Sequence, residues 1–246
     1  MGDWWQTYFE TGGWQRVQLG VGAEFDDPGQ AEAVERALAL EPGSTVLDVP
    51  TGTGRIAIEL AARGHHVTGV DLTGTFLQAG REHAAERGVT VDLHQGDMRA
   101  LDLEPASFDA ALCFWGSFGY FDAAGDEAFV RGVAAALKPG GRFLIDTPAT
   151  ETVFPRLKER NWWEIDGVVV LMETQYVSGT GRVETDWTMI APDGSRETQR
   201  SSIRLYSLAE LTAVLERAGF TSFRASDDEL EPFELGSQRL WLVATR

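Results

Sequence analysis

The chain has 246 residues, 43% of them hydrophobic, which suits one large α/β unit or a unit with an insertion and supplies ample core material. Twenty-one basic residues against 38 acidic ones leave a formal charge of −17, which disfavours nucleic acid and anionic lipid as partners. The lone cysteine, Cys113, excludes an intrachain disulfide. No stretch reaches ~18 apolar residues, and MGDWWQTYFE lacks a signal-peptide pattern, so a cytoplasmic protein is expected.

The start is aromatic. Spacings of three and four put Trp5, Tyr8 and Phe9 on one helical face, with Trp4 and Trp14 nearby. Asp27 and Pro28 read as the N-cap and first position of a helix that ends at Glu41-Pro42-Gly43. A strict alternation follows. Strands are expected at 45–49, at 67–70 running into Asp71, at 89–95, at 108–114 and at 141–146. The helices between them span 55–63, a Thr73-capped segment to 87, and 126–137, the last stopped by Lys138-Pro139-Gly140. Strands alternating with helices mean a parallel sheet covered on both faces.

The pattern changes over 163–206. VVVLMETQYV, GRVETDWTMI and RSSIRLY are separated by Ser-Gly-Thr-Gly and Pro-Asp-Gly-Ser, which is turn chemistry, so a three- or four-stranded antiparallel meander is expected. Ser207 and Glu210 form a capping box for a helix ending at Gly219. Two strands, 220–230 and 238–245, have no helical segment between them and should pair antiparallel. The expected organisation is an aromatic lid (1–26), a Rossmann-like body (27–150 and 207–246) and an antiparallel insertion covering the cleft (151–206).

The loop after the first strand reads VLDVPTGTGR, residues 46–55. Gly52, Gly54 and Ala57 fit G-x-G-x-x-G/A, so a dinucleotide is one reading. Glycine lets a backbone approach a ligand closely, and the next helix offers its N-terminal N–H groups to an anionic group. Asp71 lies where an acid can hold two ribose hydroxyls. Asp48 argues against a dinucleotide, because a carboxylate aimed at the loop repels a pyrophosphate and attracts an ammonium or sulfonium. A nucleoside with both a positive charge and a carboxylate fits better, and S-adenosylmethionine has that pattern.

Here the sequence resembles the class I S-adenosylmethionine-dependent methyltransferases over most of its length. Their acid followed by glycines at alternate positions is matched by Asp48-Val-Pro50-Thr-Gly52-Thr-Gly54, with proline for the first glycine. Their ribose-binding acid is matched by Asp71 in VTGVD. Their acid after strand three, with a residue packing on adenine, is matched by Asp97-Met98. LKPGGRFLID and the closing strand pair match their seven-stranded sheet. The resemblance implies a Rossmann-like α/β fold with an antiparallel last strand and S-adenosyl-L-methionine as cofactor. It implies cofactor contacts from Asp48, Thr51, Gly52, Thr53, Gly54, Asp71, Leu72, Asp97, Met98 and Phe114. Tyr8 is the N-terminal candidate. Pro50 has no N–H to offer, and the Thr51 and Thr53 hydroxyls can compensate.

Methyl transfer mainly requires alignment and exclusion of water. The segment Phe114–Tyr120 lacks the Asn/Asp-Pro-Pro-Tyr stretch of enzymes that methylate DNA bases or protein glutamine, so the resemblance, the charge and the insertion point to a small-molecule acceptor. Its nitrogen or oxygen would take the methyl, and the aromatic covers suggest an apolar or aromatic molecule. A non-methylating member of the fold that performs a cyclisation or rearrangement shares these motifs. An NAD-dependent oxidoreductase is disfavoured by Asp48 and Asp97-Met98. A regulatory S-adenosylmethionine-binding protein has no positive support, and a homodimer is allowed.

Candidate catalytic residues are Asp146 at the end of strand five, His94 late in strand three, and Tyr176 in the insertion. Glu173 and Arg204 share with Tyr176 a potential cleft-facing alternation. His65 and His66 are expected in a solvated turn, His83 on a helix surface, and Cys113 as a small buried residue. Four scattered histidines and one cysteine show no metal-ligand spacing.

Overall fold

The computed structural model describes residues 4–20, 27–165 and 167–246. Two short helices begin it, α1 (Trp4–Tyr8) and α2 (Gly13–Gly20), followed by α3 (Asp27–Leu38). Residues 1–3 and 21–26 of the expected lid lie outside the described residues.

The alternating body then runs through β1 (Thr45–Asp48), α4 (Arg55–Ala62), β2 (His66–Asp71), α5 (Gly74–Glu86) and β3 (Asp92–Gln95). It continues with β4 (Phe108–Cys113), α6 (Ala123–Ala136), β5 (Leu137–Thr147) and the single turn α7 (Thr150–Val153). The insertion comprises β6 (Arg160–Ile165), β7 (Val168–Val177), β8 (Arg182–Ile190) and β9 (Arg196–Arg204). The chain closes with α8 (Leu208–Arg217), β10 (Ser222–Ser226) and β11 (Leu240–Thr245).

The main sheet has the order β10-β11-β5-β4-β1-β2-β3. β1 pairs parallel with β2 and β4, while β11 pairs antiparallel with β5 and β10. The expected seven-stranded α/β sheet with a reversed last strand is therefore present. The insertion is a separate four-stranded antiparallel sheet, β6-β7-β8-β9.

Period-two alternation divides the strand residues between the two faces. Leu47, Ala111, Phe143, Ile145 and Leu242 join Phe129, Val133, Leu211 and Leu215 from α6 and α8. Val46, Leu112, Leu144 and Val243 join Val34, Leu38, Ile56 and Leu60 from α3 and α4. Each fully buried aliphatic side chain contributes roughly 1.5–3 kcal/mol. The sheet is thus a central layer between two helical layers.

Several boundaries differ from expectation for local reasons. Lys138-Pro139-Gly140 lies inside β5, where the register with β4 jumps from Phe108↔Leu137 to Ala110↔Arg142, so the turn signal is a bulge. α6 begins at Ala123 because the Asp122 carboxylate accepts from Gly125 N at 2.8 Å, and Asp126 is buried inside the first turn. Thr73 does not cap α5 with its side chain; its amide and hydroxyl both bond Asp71 instead. β10 stops at Ser226 because the Asp227 carboxylate accepts from Glu229 N and Glu231 N and turns the chain. His65 is buried rather than solvated, with Nε2 2.8 Å from Glu35 across the α3–α4 packing.

Candidate active site

Chain winding reverses between β1 and β4, so a crevice opens beyond their carboxyl ends, where open α/β sheets place ligands. A cavity of about 690 Å³ fills it, within the range of small-molecule sites. One end is walled by the loops after β1, β2, β3 and β4. The other is walled by α1, α2 and the inner face of the insertion sheet.

The first end carries three acids. Asp48, at the end of β1, is buried and accepts from Thr51 Oγ1 at 2.7 Å. Desolvation pushes its carboxyl up to about 7; Asp71 adds to the rise, and Thr51 and Arg55 oppose it. Asp71 ends β2 and accepts from Gly52 N and Thr73 N, each at 2.8 Å, which fixes the β1 loop against the β2 loop. Burial raises its pKa against those hydrogen bonds. Asp97 follows β3 and is gripped by the Arg99 guanidinium, whose hydrogen bonds hold its pKa low. Arg99 in turn lies over the rings of Trp5 and Phe121, at 4.6 and 4.7 Å.

The loop backbone explains its glycines. Gly52 has φ +58°, and a Cβ there would meet nothing within 4 Å, so its open side faces the cavity. Gly54, φ +76°, is not a lining residue; its amide closes the turn onto Thr51 O at 2.9 Å. Pro50, Thr51, Gly52 and Thr53 all line the cavity, as do Leu72, Met98 and Phe114.

The loop after β4 is held in place by charged groups. The Asp146 carboxylate accepts from Trp115 N at 2.9 Å and pairs with Arg239. Arg239 and Arg55 both stack on the Trp115 ring, at 4.7 and 5.0 Å, and Arg55 pairs with Asp27 at 2.7 Å. Acid, guanidinium, indole, guanidinium and acid follow one another along this edge. Trp115 accordingly sits at φ +63°, a strained value for a tryptophan that this row of contacts enforces.

The remaining catalytic candidates fall elsewhere. Asp146 is buried behind the loop with both oxygens engaged and is not a lining residue, so it is an anchor rather than a base. His94 is exposed, pairs with Asp92 at 2.8 Å and lies outside the cavity. Tyr176 lies outside it too, edge-on to Phe154 at 4.8 Å. Glu173 pairs with Arg160 on the exposed side, and Arg204 stacks on Tyr206. Glu173 and Tyr176 are three apart, so a flat strand turns them to opposite faces, and the expected shared alternation fails. Cys113 is buried, and burial pushes its thiol up.

The second end of the cavity was only partly legible. Tyr8 lines it, but its hydroxyl bonds Ser201 of the insertion sheet. Trp163, Val183, Thr185, Trp187, Ser201 and Ile203 line it as well. Val183, Thr185 and Trp187 are spaced by two, and Thr185 pairs across with Ser201 and Val183 with Ile203. That spacing was the available signal.

The body and the whole architecture have known counterparts. Residues 46–141 match the methyltransferase domain family. The ubiquinone/menaquinone biosynthesis C-methyltransferase UbiE of Brucella anthropi is 37% identical over 126 residues, covering 46% of this chain and 46% of that protein. The match thus spans less than half the length of that curated relative. Among solved structures, the CcbJ methyltransferase from Streptomyces caelestis superposes with TM-score 0.78 at 23% identity, covering 97% of this chain and 94% of that one. The S-adenosylmethionine-bound amino pentose methyltransferase CalS10 from Micromonospora echinaspora gives TM-score 0.69 at 25% identity, with 92% and 93% covered. With its sheet order, its three acids after successive strands and its matched segment, the chain carries a methyltransferase domain over residues 46–141 and shares the fold of S-adenosylmethionine-dependent methyltransferases.

Proposed function

We propose that the chain binds S-adenosyl-L-methionine at the three-acid end of the cavity and transfers its methyl group to a nitrogen or oxygen of a small, apolar or aromatic molecule. The carrying observation is one cavity that joins Asp48, Asp71 and Asp97 to an aromatic wall. The donor set fits this cofactor. Three carboxylates with Arg55 as the lining guanidinium disfavour a pyrophosphate and favour a cation. The open side of Gly52 admits close approach of a ligand.

In this reading Asp71 holds the ribose hydroxyls, and Asp97 and Met98 hold the adenine. Asp48 faces the positive charges, with Thr51 and Thr53 on the loop beside it. Leu72 and Phe114 supply apolar walls. The bound cofactor supplies a methyl group on a positively charged sulfur that departs as a neutral thioether. The chain's own contribution is to orient the two reactants and keep water out.

Calorimetry should give S-adenosylmethionine a dissociation constant of micromolar to tens of micromolar, roughly −6 to −8 kcal/mol. Incubation with isotopically labelled S-adenosylmethionine and a panel of amines and phenols should yield a labelled product. Tight NAD binding without S-adenosylmethionine binding would overturn the reading.

A further inference from the structure

The aromatic wall differs from a stacking slot. Trp163 and Trp187 meet at 79° with centroids 5.7 Å apart, Trp14 and Trp187 at 46° and 4.9 Å, and Tyr8 and Trp14 at 47° and 6.0 Å. All four rings line the cavity, and they come from β6, β8, α2 and α1. A flat ring is held best between two parallel faces, whereas steeply crossed rings make a corner that suits a compact, rounded group. Among the described residues, the near-parallel pair on the cavity is Phe9 and Tyr120, which stack on each other at 29°.

Two of the polar tips of this wall are already paired. Trp187 Nε1 donates to Ser201 Oγ at 2.8 Å, and Ser201 also bonds the Tyr8 hydroxyl. What these two rings offer a ligand is their electron-rich faces, and the Trp14 and Trp163 faces beside them likewise attract cations. The described lining residues include no histidine, glutamate or lysine. Asp48 is buried against Thr51, Asp71 is engaged by Gly52 N and Thr73 N, and Asp97 is gripped by Arg99. A hydroxyl acceptor needs a base to become a good nucleophile, while an amine brings its own lone pair.

We infer that the Trp14–Trp163–Trp187 corner is a cation box, and that the acceptor is a compact alkylated amine methylated at nitrogen. This rests on the methyl-transfer reading. The amine nitrogen's lone pair forms the new bond to the methyl carbon, and the electron pair of the broken carbon–sulfur bond stays on sulfur. An amine that arrives protonated first gives one proton to solvent, because only the neutral form carries the lone pair; a secondary amine then becomes a protonated tertiary amine, and a tertiary amine becomes a quaternary ammonium. In either case positive charge moves from sulfur to nitrogen. Aromatic faces favour the charged nitrogen over the neutral one, so the box binds the transferring state more tightly than the free amine. The net charge of −17 draws amines, protonated in bulk water, towards the molecule.

The test uses the full chain loaded with S-adenosylhomocysteine. Choline and its uncharged isostere 3,3-dimethylbutan-1-ol are titrated in parallel, followed by calorimetry and tryptophan fluorescence. Choline should bind about tenfold more tightly or better. Trp187→Leu should erase that preference, and Trp163→Leu, on the outer strand of the insertion, should reduce it, with S-adenosylhomocysteine affinity within about twofold of wild type in both. Equal binding of the two probes, or a preference that survives both substitutions, would overturn the box while leaving methyl transfer intact. Failure of S-adenosylhomocysteine itself to bind the wild-type chain would instead sink the underlying reading.

Discussion

Asp48 is a carboxyl raised to about 7 by burial in a site proposed to bind a cation. Unfolded, it titrates near ~3.9. Between those values the folded chain holds a proton that the unfolded chain has lost, so Asp48 makes stability fall as pH rises from ~4 to about 7, with no further change above. Asp48→Asn should remove this contribution and raise the melting temperature at pH 8 relative to wild type, without ligand. A bound cation reverses the bias, since it lowers the carboxyl's pKa. S-adenosylmethionine binding at pH 6 should therefore release protons, seen as a dependence of the calorimetric enthalpy on buffer ionisation heat, and Asp48→Asn should abolish that release. Asp71 differs in kind, because it both organises the loop through Gly52 N and Thr73 N and is proposed to hold the ribose. Asp71→Ala should weaken S-adenosylhomocysteine binding by about 1.5–3 kcal/mol, measured by calorimetry, as expected for hydrogen bonds to a charged acceptor.

One side chain makes three of the bonds that pin the aromatic segment to the insertion. The Gln199 amide on β9 donates to Tyr8 O and Thr11 O, at 3.3 and 3.2 Å, and accepts from Trp14 N at 3.2 Å. Arg16 and Glu197 add an exposed ion pair at 3.2 Å, worth little by itself. Gln199→Ala should increase hydrogen exchange over residues 4–19 and raise the acceptor KM, with S-adenosylhomocysteine binding little changed. If the segment is a lid, that cofactor product should increase its protection in the wild type; equal exchange with and without it would make the segment a fixed wall. The insertion is tied to the β4 loop from the other side. Arg182 donates to the carbonyls of Gly119, Tyr120 and Phe121, and Gly119 lies so close to Arg204 that a Cβ would sit 2.3 Å from its carbonyl oxygen. These elements also mark where sequence reading succeeds. The β1 loop, Asp71 and Asp97-Met98 are legible because acid, turn and helix start lie within a few residues of one another. Trp187 and Ser201 are not, because their meeting depends on the β8–β9 register, and Gln199 meets Tyr8 across 191 positions. Asp146 was legible as a strand end, but its burial behind Trp115 depends on Arg239 from the far end of the chain.

At the scale of the whole molecule, β1 and β4 carry both the site and the centre of the sheet. Leu47 is fully buried one residue before Asp48, so Leu47→Ala should cost about 2–5 kcal/mol in denaturant unfolding and should disorder the site with it. The match to the methyltransferase domain ends at residue 141, before the insertion, and begins at 46, after the aromatic segment. The two parts of the chain that wall the proposed acceptor end therefore both lie outside the segment matched to that domain. They also clasp each other through Gln199 and the Trp14–Trp187 contact, as well as resting on the body. Acceptor range should consequently travel between relatives as a matched pair of segments. A chimera that receives residues 151–206 alone would hold a sheet whose glutamine faces a foreign helix. One that receives 4–20 and 151–206 together would keep its clasp and bring its choice of acceptor to a new body.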